Sequence, residues 1–247
     1  MSTVRAPAQK DPSASTATVA GMTVHLADFD FEVPSGLLAF EDFRCWTLSD
    51  AFPERGRFDF LRGRVEADMS PESLFSHNQP KTEIASVLYG LAKRLDIGTV
   101  FGDRARVVVE SVGLSCEPDL TYVSNESFDL KRVALTPKDD WPRDAVEIVG
   151  PPDLVVEIVS DSSVRKDTED LYRLYFEAGI KEYWLIDARG SNVSFRLLTR
   201  GQTAWNDAEA DSGGFLFSTV LGRSYRLDRQ TGRRGESRYD LVEGGAS

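Results

Sequence analysis

An apolar run of strand length, residues 154–159, carries a single carboxylate, Glu157, in its middle. A polar turn and a helical pattern follow, and after the stop at Gly179 and Ile180 a second apolar run covers residues 183–186. Two short strands joined by a helix predict a parallel crossover unit. Burying an unpaired carboxylate in such a strand is costly, so Glu157 is expected to be paired, protonated or bound to a metal ion.

The composition is that of a globular protein, with 247 residues of which 41% are hydrophobic and 28% charged. No apolar run approaches the ~20 residues that span a bilayer, and no secretory signal pattern opens the sequence, so we expect a cytoplasmic protein without a membrane segment. Cys45 and Cys116 show no metal-type spacing and are interpreted as reduced thiols. The net charge of −11 argues against unspecific nucleic-acid binding, although a nuclease can gather its basic residues on one face.

Three segments are predicted: a disordered leader over residues 1–20, one folded domain over residues 21–228, and a flexible tail rich in Arg and Gly over residues 229–247. Within the domain, apolar residues at helical spacing predict an amphipathic helix that begins near Pro80. These residues are Ile84, Val87, Leu88, Leu91 and Leu95.

Strand alternation separates the side chains around Glu157 into two sets. Residues 153, 155, 157 and 159 share one face, and residues 154, 156 and 158 share the other. A second acid, Asp119, follows Pro118 at the start of a different strand-like run. Two carboxylates from adjacent strands, with a backbone carbonyl such as that of Ile158, would suit Mg²⁺ or Mn²⁺. Acid pairs on strands are also common without a metal ion, and spacing does not separate the two interpretations.

Four segments make the chain resemble the Uma-type restriction endonucleases, a branch of the PD-(D/E)XK nuclease superfamily. They are FDFLRGRVEADMSPESLFSHNQPKTEI, EPDLTYVS, PDLVVEIVSDSSVRKD and YFEAGIKEYWLID, and the resemblance runs over residues 58–227. It implies an α/β fold with a restriction-endonuclease-like mixed central β-sheet flanked by helices. It also implies Asp119 as the first metal-binding acid, Glu157 as the acid of the E-x-K element, and Mg²⁺- or Mn²⁺-dependent hydrolysis of DNA.

The sequence departs from the superfamily pattern at the lysine. The superfamily pattern implies a lysine two positions after Glu157, where this chain has Val159. The resemblance to this branch implies that the lysine moves to the following helix, at a position where this chain has Leu171. Lys166 and Arg173 are the remaining candidates to stabilise the charge that develops on the phosphate. The alternative for Lys166 is a solvated charge at the start of a helix.

Three further residues are candidates with structural alternatives. His77 matches a histidine of the family pattern and is interpreted as a general base or DNA contact, or else as a packed residue. Glu83 is a third metal ligand or a surface helix charge, and Asp153 is an acid supporting the site or a residue of the turn before its strand. Asp167 is interpreted as a helix cap. Candidate phosphate contacts are Lys81, Lys93, Arg94, Arg104 and Arg106.

The sequence therefore predicts a metal-dependent endonuclease that acts on DNA and is compatible with a homodimer. A different class, a nuclease fold that has lost its chemistry and serves as an interaction module, is favoured by the missing lysine and by the negative net charge. The retained acids Asp119 and Glu157 oppose it. A hydrolase of another phosphodiester would share the same site.

Overall fold

The computed structural model describes residues 22–26, 29–34, 37, 39–138 and 141–244. The predicted leader, residues 1–20, lies outside these ranges. In the described ranges, no helix is both long enough and apolar enough to cross a membrane.

Glu157 lies in the middle of a six-stranded mixed sheet, which we call the central sheet. In spatial order its strands are β14 (Trp205–Asp207), β13 (Ser194–Arg200), β12 (Glu182–Asp187), β11 (Leu154–Ile158), β8 (Leu120–Ser124) and β5 (Gly98–Phe101). Strands β11 and β12 are parallel, and β8 is antiparallel to β11. The predicted crossover unit is therefore present.

A second six-stranded mixed sheet, the outer sheet, carries the segment that opens the family resemblance. Its strands in spatial order are β4 (Arg64–Asp68), β3 (Arg57–Leu61), β7 (Leu114–Cys116), β6 (Arg106–Val109), β10 (Trp141–Val149) and β9 (Ala134–Lys138). A separate hairpin is formed by β1 (Met22–Leu26) and β2 (Phe29–Val33).

Helices flank both sheets. They are α1 (Phe40–Thr47), α2 (Gln79–Leu95), α3 (Asn125–Asp129) and α4 (Leu171–Ala178), with a short 3-10 turn at Glu110–Val112. Helix α2 has the predicted apolar stripe and a proline in its first turn, where the missing N–H is not needed. Single π-helical turns, Leu74–Asn78 and Lys166–Asp170, lead into α2 and α4.

Strand β11 is buried on both faces, as a nearly continuous apolar run requires. Leu154, Val156 and Ile158 pack with α2 in one hydrophobic cluster. Val155 and Val159 pack on the opposite face with α4 and the outer sheet. The predicted alternation is confirmed, and the fold is α/β with mixed sheets flanked by helices.

Residues 229–231 and 237–243 lie in strands where the sequence predicted a flexible tail over residues 229–247, and the last three of those residues lie outside the described ranges. Strands β15 (Leu216–Ser218), β16 (Arg223–Thr231) and β17 (Ser237–Glu243) form an antiparallel sheet that packs on α2. Tyr239 and Leu241 are buried in the cluster that contains the apolar face of α2. Alternating apolar side chains in β17 account for the strand, a signal that the surrounding Arg and Gly residues obscured.

Candidate active site

Asp119 and Glu157 meet where β8 begins and β11 ends. The antiparallel register pairs Val156 with Leu120, so the next position along each strand brings Asp119 beside Glu157. The backbone N–H of Asp119 donates to Glu157 Oε2 at 3.4 Å, and that of Ile158 donates to Asp119 Oδ2 at 2.8 Å. Both carboxylates are buried, so two negative charges share a site that water scarcely reaches.

Glu157 is oriented by helix α4. The Tyr175 hydroxyl donates to Glu157 Oε1 at 2.5 Å, and the Cys116 thiol lies 3.5 Å from the same hydroxyl. Burial, together with the charges of Asp167 and Asp119, raises the pKa of Glu157 well above its usual range. The carboxylate is thus fixed in place, with two acids and the cation of Lys166 acting on its charge.

Asp167 belongs to this group of acids, although the sequence suggested only a helix cap. It is buried in the π-helical turn before α4, where its Oδ2 accepts from the Ser163 hydroxyl at 2.5 Å. Its Oδ1 is buried without a hydrogen-bond partner in the described part of the chain. Burial raises the pKa of Asp167 to about 7. Sequence position gave no sign of this, because an acid near a helix start is commonplace.

Lys166 reaches back to the acids from the same turn. Its Nζ lies 3.0 Å from Asp59 Oδ2, and Asp59 also accepts from the backbone N–H of Glu117 at 3.1 Å. Burial opposes the charge of Lys166, but Asp59, Glu157 and Asp167 outweigh it and raise the lysine pKa. Asp59 was not among the residues singled out from the sequence, although it shows the same signal as Glu157, one acid between apolar neighbours in a buried strand.

His77 lies between two carboxylates. Its Nδ1 is 2.6 Å from Glu72 Oε1, and its Nε2 is 3.3 Å from Asp119 Oδ2. Burial lowers the histidine pKa, but the hydrogen bond and charge of Asp119 prevail and the net shift is upward. The structure thus places His77 between Glu72 and Asp119, surroundings that favour the protonated imidazole.

Two further cations approach Asp119. Arg57 Nη1 lies 3.1 Å from Asp119 Oδ1, and Lys81 Nζ lies 3.8 Å from the same oxygen. Burial would raise the pKa of Asp119, but His77, Arg57 and Lys81 lower it to about 2. Asp119 is therefore ionised at neutral pH.

Two overlapping sets of side chains offer ligand atoms of the kind that hard divalent cations prefer. Asp119, Glu157 and Asp167 supply buried carboxylate oxygens, one of them lacking a hydrogen bond in the described residues. In the second set, Glu72, His77 and Asp119, the ligand atoms lie within 4.8 Å of one another, which makes it the more compact group in the described part of the chain. In that set, however, both nitrogens of the His77 imidazole already contact carboxylates, Nδ1 that of Glu72 and Nε2 that of Asp119.

Three candidates lie apart from this group. Glu83, considered as a metal ligand, instead accepts from the backbone N–H of Leu241 at 3.1 Å on the side of α2 that faces β17. Asp153 accepts from Ser127 and lies 2.6 Å from Lys181 Nζ, at the opposite end of β11 from Glu157. Arg173 is exposed on α4. Spacing alone did not show which way these three side chains point, because a residue near the start of a helix or strand can point in several directions.

The fold and the paired acids place the protein in the restriction-endonuclease-like class. One similar solved structure is "Crystal structure of a putative nuclease belonging to DUF820 from Anabaena variabilis ATCC 29413", with a TM-score of 0.50 and 18% identity over 66% of this chain and 82% of that chain. Residues 40–222 match the Uma2 family, described as "Putative restriction endonuclease". The chain belongs to this family, as its motifs indicated. None of the curated proteins matches the chain.

Proposed function

We propose that the protein is an endonuclease that hydrolyses DNA phosphodiester bonds with Mg²⁺ or Mn²⁺ as cofactor. The observation that carries the proposal is the meeting of two buried acids from adjacent strands, where the backbone N–H of Asp119 donates to Glu157 Oε2 and the charge of Lys166 acts on Glu157. Buried like charges near one another are unfavourable unless cations compensate them. Membership of the Uma2 family supports the same assignment.

Asp119 and Glu157 would hold the metal ion, and Asp167 has a free oxygen to support them. When bound, a divalent ion polarises the phosphate and makes a water molecule more acidic. Tyr175 fixes the rotamer of Glu157 through its hydroxyl, so this ligand is set before substrate arrives. The protein's contribution here is a rigid, buried pair of oxygens.

Lys166 takes the place of the strand lysine in this proposal. Its ammonium is held by Asp59 and remains charged, so it can stabilise negative charge on the phosphate as the bond breaks. His77, beside Asp119, would accept a proton from the attacking water in its neutral form, or contact the DNA in its protonated form, which its raised pKa favours. Cutting both strands of a duplex with one site per chain would take two copies, so the proposal includes a homodimer. We also propose that the protein acts in the cytoplasm.

The first test is plasmid cleavage in Mg²⁺ or Mn²⁺ by the wild type, Glu157→Gln and Lys166→Met. We expect the wild type to cleave, EDTA to abolish cleavage, and each variant to lose about a hundredfold or more in rate. Glu126→Gln and Lys131→Met are matched controls, because these exposed residues carry the same charges and do not line the cavities at the acids, so both variants should retain activity. Cleavage by Glu157→Gln at the wild-type rate would contradict the proposal.

Mn²⁺ binding, measured by calorimetry, separates the two overlapping ligand sets and the inactive-module alternative. Glu157→Gln should weaken binding by about tenfold or more, whereas Glu72→Gln should change it much less. The opposite order would move the metal site to Glu72, His77 and Asp119. A wild type that neither binds Mn²⁺ nor cleaves DNA would favour the interaction module.

A further inference from the structure

A cavity of about 240 Å³ opens beside the acids of the active site. Its lining includes Arg57 and His77, which contact Asp119, and Glu72, which contacts His77. Asp68 and Ser162 also line the cavity. The turn between β5 and β6 contributes Arg104 to the same wall. A DNA strand whose scissile phosphate lies at the acids would extend along this cavity.

Arg104 differs from the other arginines near the acids in the hydrogen bonds and ion pairs of its guanidinium. Arg57 is paired with Asp103 and Asp119, and the buried Arg106 is paired with Glu117. The side chain of Arg104 is exposed, and within the described ranges no hydrogen bond or ion pair involves its guanidinium. Arginine stays charged at any physiological pH, so five donors are left at the cavity for a ligand.

The backbone of Arg104 is unusual for an arginine. Its φ is +68°, and it is the third residue of a turn closed by the hydrogen bond from the Ala105 N–H to the Gly102 carbonyl. Turns that need a positive φ at this position normally use Gly or Asn, which adopt it with less strain. Strain of this kind is characteristic of functional sites. Glycine would therefore adopt this backbone conformation with less strain, so the presence of an arginine side chain here needs another explanation.

We propose that Arg104 binds a phosphate of the DNA strand next to the scissile phosphate. The proposal rests on the proposed nuclease function. The guanidinium of Arg104 lies at the cavity wall, and its planar fork of N–H groups matches two phosphate oxygens. Arg104 is therefore a substrate-binding residue, separate from the acids that hold the metal ion.

The test is Arg104→Gly, which removes the guanidinium and relieves the positive φ at the same time. A glycine variant should keep the wild-type thermal stability, so that lost binding cannot be ascribed to misfolding. Binding of a short fluorescent duplex is measured by anisotropy, with Ca²⁺ replacing Mg²⁺ at several salt concentrations. We expect Kd to rise about tenfold, and the slope of log K against log salt to become shallower by about 0.9.

Lys131→Gly is the matched control, since Lys131 is another exposed cation with a positive φ, +54°, in a turn that does not line the cavity. It should leave both Kd and the salt slope unchanged, and Arg104→Lys should recover the slope because it restores one charge. An unchanged slope in Arg104→Gly, or an equal change in Lys131→Gly, would overturn the inference while wild-type cleavage still supports the nuclease function. A wild type that neither binds nor cleaves DNA would overturn both.

Discussion

Asp153 and Glu157 share one face of β11 but have opposite electrostatic surroundings. Asp153 accepts from the backbone N–H of Ser124 and the hydroxyl of Ser127 and lies beside Lys181. Burial favours the protonated form, but these partners outweigh it and lower the pKa of Asp153. Glu157, next to other acids, has a raised pKa. The surroundings of Asp153 therefore favour its carboxylate form, whereas those of Glu157 disfavour it.

The lowered pKa of Asp153 predicts how its contribution to stability depends on pH. Because the folded-state pKa lies below the unfolded value of about 3.9, the ionised carboxylate stabilises the folded protein at pH values above the unfolded pKa. This stabilisation is lost as the pH falls through the folded-state pKa. Asp153→Asn should lower the free energy of unfolding by about 1–3 kcal/mol near neutral pH, because buried donors lose an acceptor. The difference from the wild type should shrink at about pH 3.

Urea unfolding at the two pH values measures this effect, with the exposed Asp129→Asn as the control. The control should differ little from the wild type at either pH. An Asp153→Asn deficit of equal size at both values would show that the charge of Asp153 contributes nothing.

The sequence indicated a candidate site residue where neighbouring residues in the sequence, or the family resemblance, also determine the surroundings of its side chain. Glu157 could be identified because a carboxylate in a buried apolar strand needs compensation, and Asp119 because the resemblance assigned it a role. Asp59 showed the same local signal as Glu157, but only the pairing of two sheets brings it to Lys166. Asp167 could not be identified, because its burial depends on how the turn before α4 packs against the central sheet.

At the scale of elements, the C-terminal hairpin is an integral part of the fold. Strand β17 pairs with β16 along its length, and its Leu241 packs in the same cluster as Ile84 of α2. The sequence did not predict this, because seven residues of period-two pattern are a weak signal until a partner strand and a helix cover them. Long, strongly periodic α2 was predicted, since its stripe is repeated over several turns.

Leu241→Ala tests the hairpin. Removing a buried leucine side chain should lower the free energy of unfolding by about 2–5 kcal/mol. The adjacent Asp240→Ala, on the exposed face, should change it by only about 0.5 kcal/mol. Chemical denaturation measures both, and equal small effects would mean that the segment is as loosely held as its composition suggested.

At the scale of the whole molecule, the central sheet is shared by two hydrophobic clusters. One cluster joins Val155 and Tyr175 to Val107 of the outer sheet, and the other joins Val156 to α2 and the C-terminal strands. Neither six-stranded sheet can separate from the other without exposing the first cluster to water.

We therefore expect the described core to unfold in one cooperative transition. Calorimetry should give a single peak whose calorimetric and van't Hoff enthalpies agree. Two resolved peaks would show that the outer sheet unfolds independently. Divalent metal that binds only the folded state should raise the single transition temperature, and Glu157→Gln should remove that rise.

The separation of Lys166 from β11 has an evolutionary consequence. If Lys166 supplies the ammonium as proposed, the position two residues after Glu157 is released to the hydrophobic interior, where Val159 is buried. Natural selection could then act on side-chain volume at residue 159 and on charge at residue 166 independently. A search pattern with a fixed interval between acid and lysine would not detect a lysine supplied in this way.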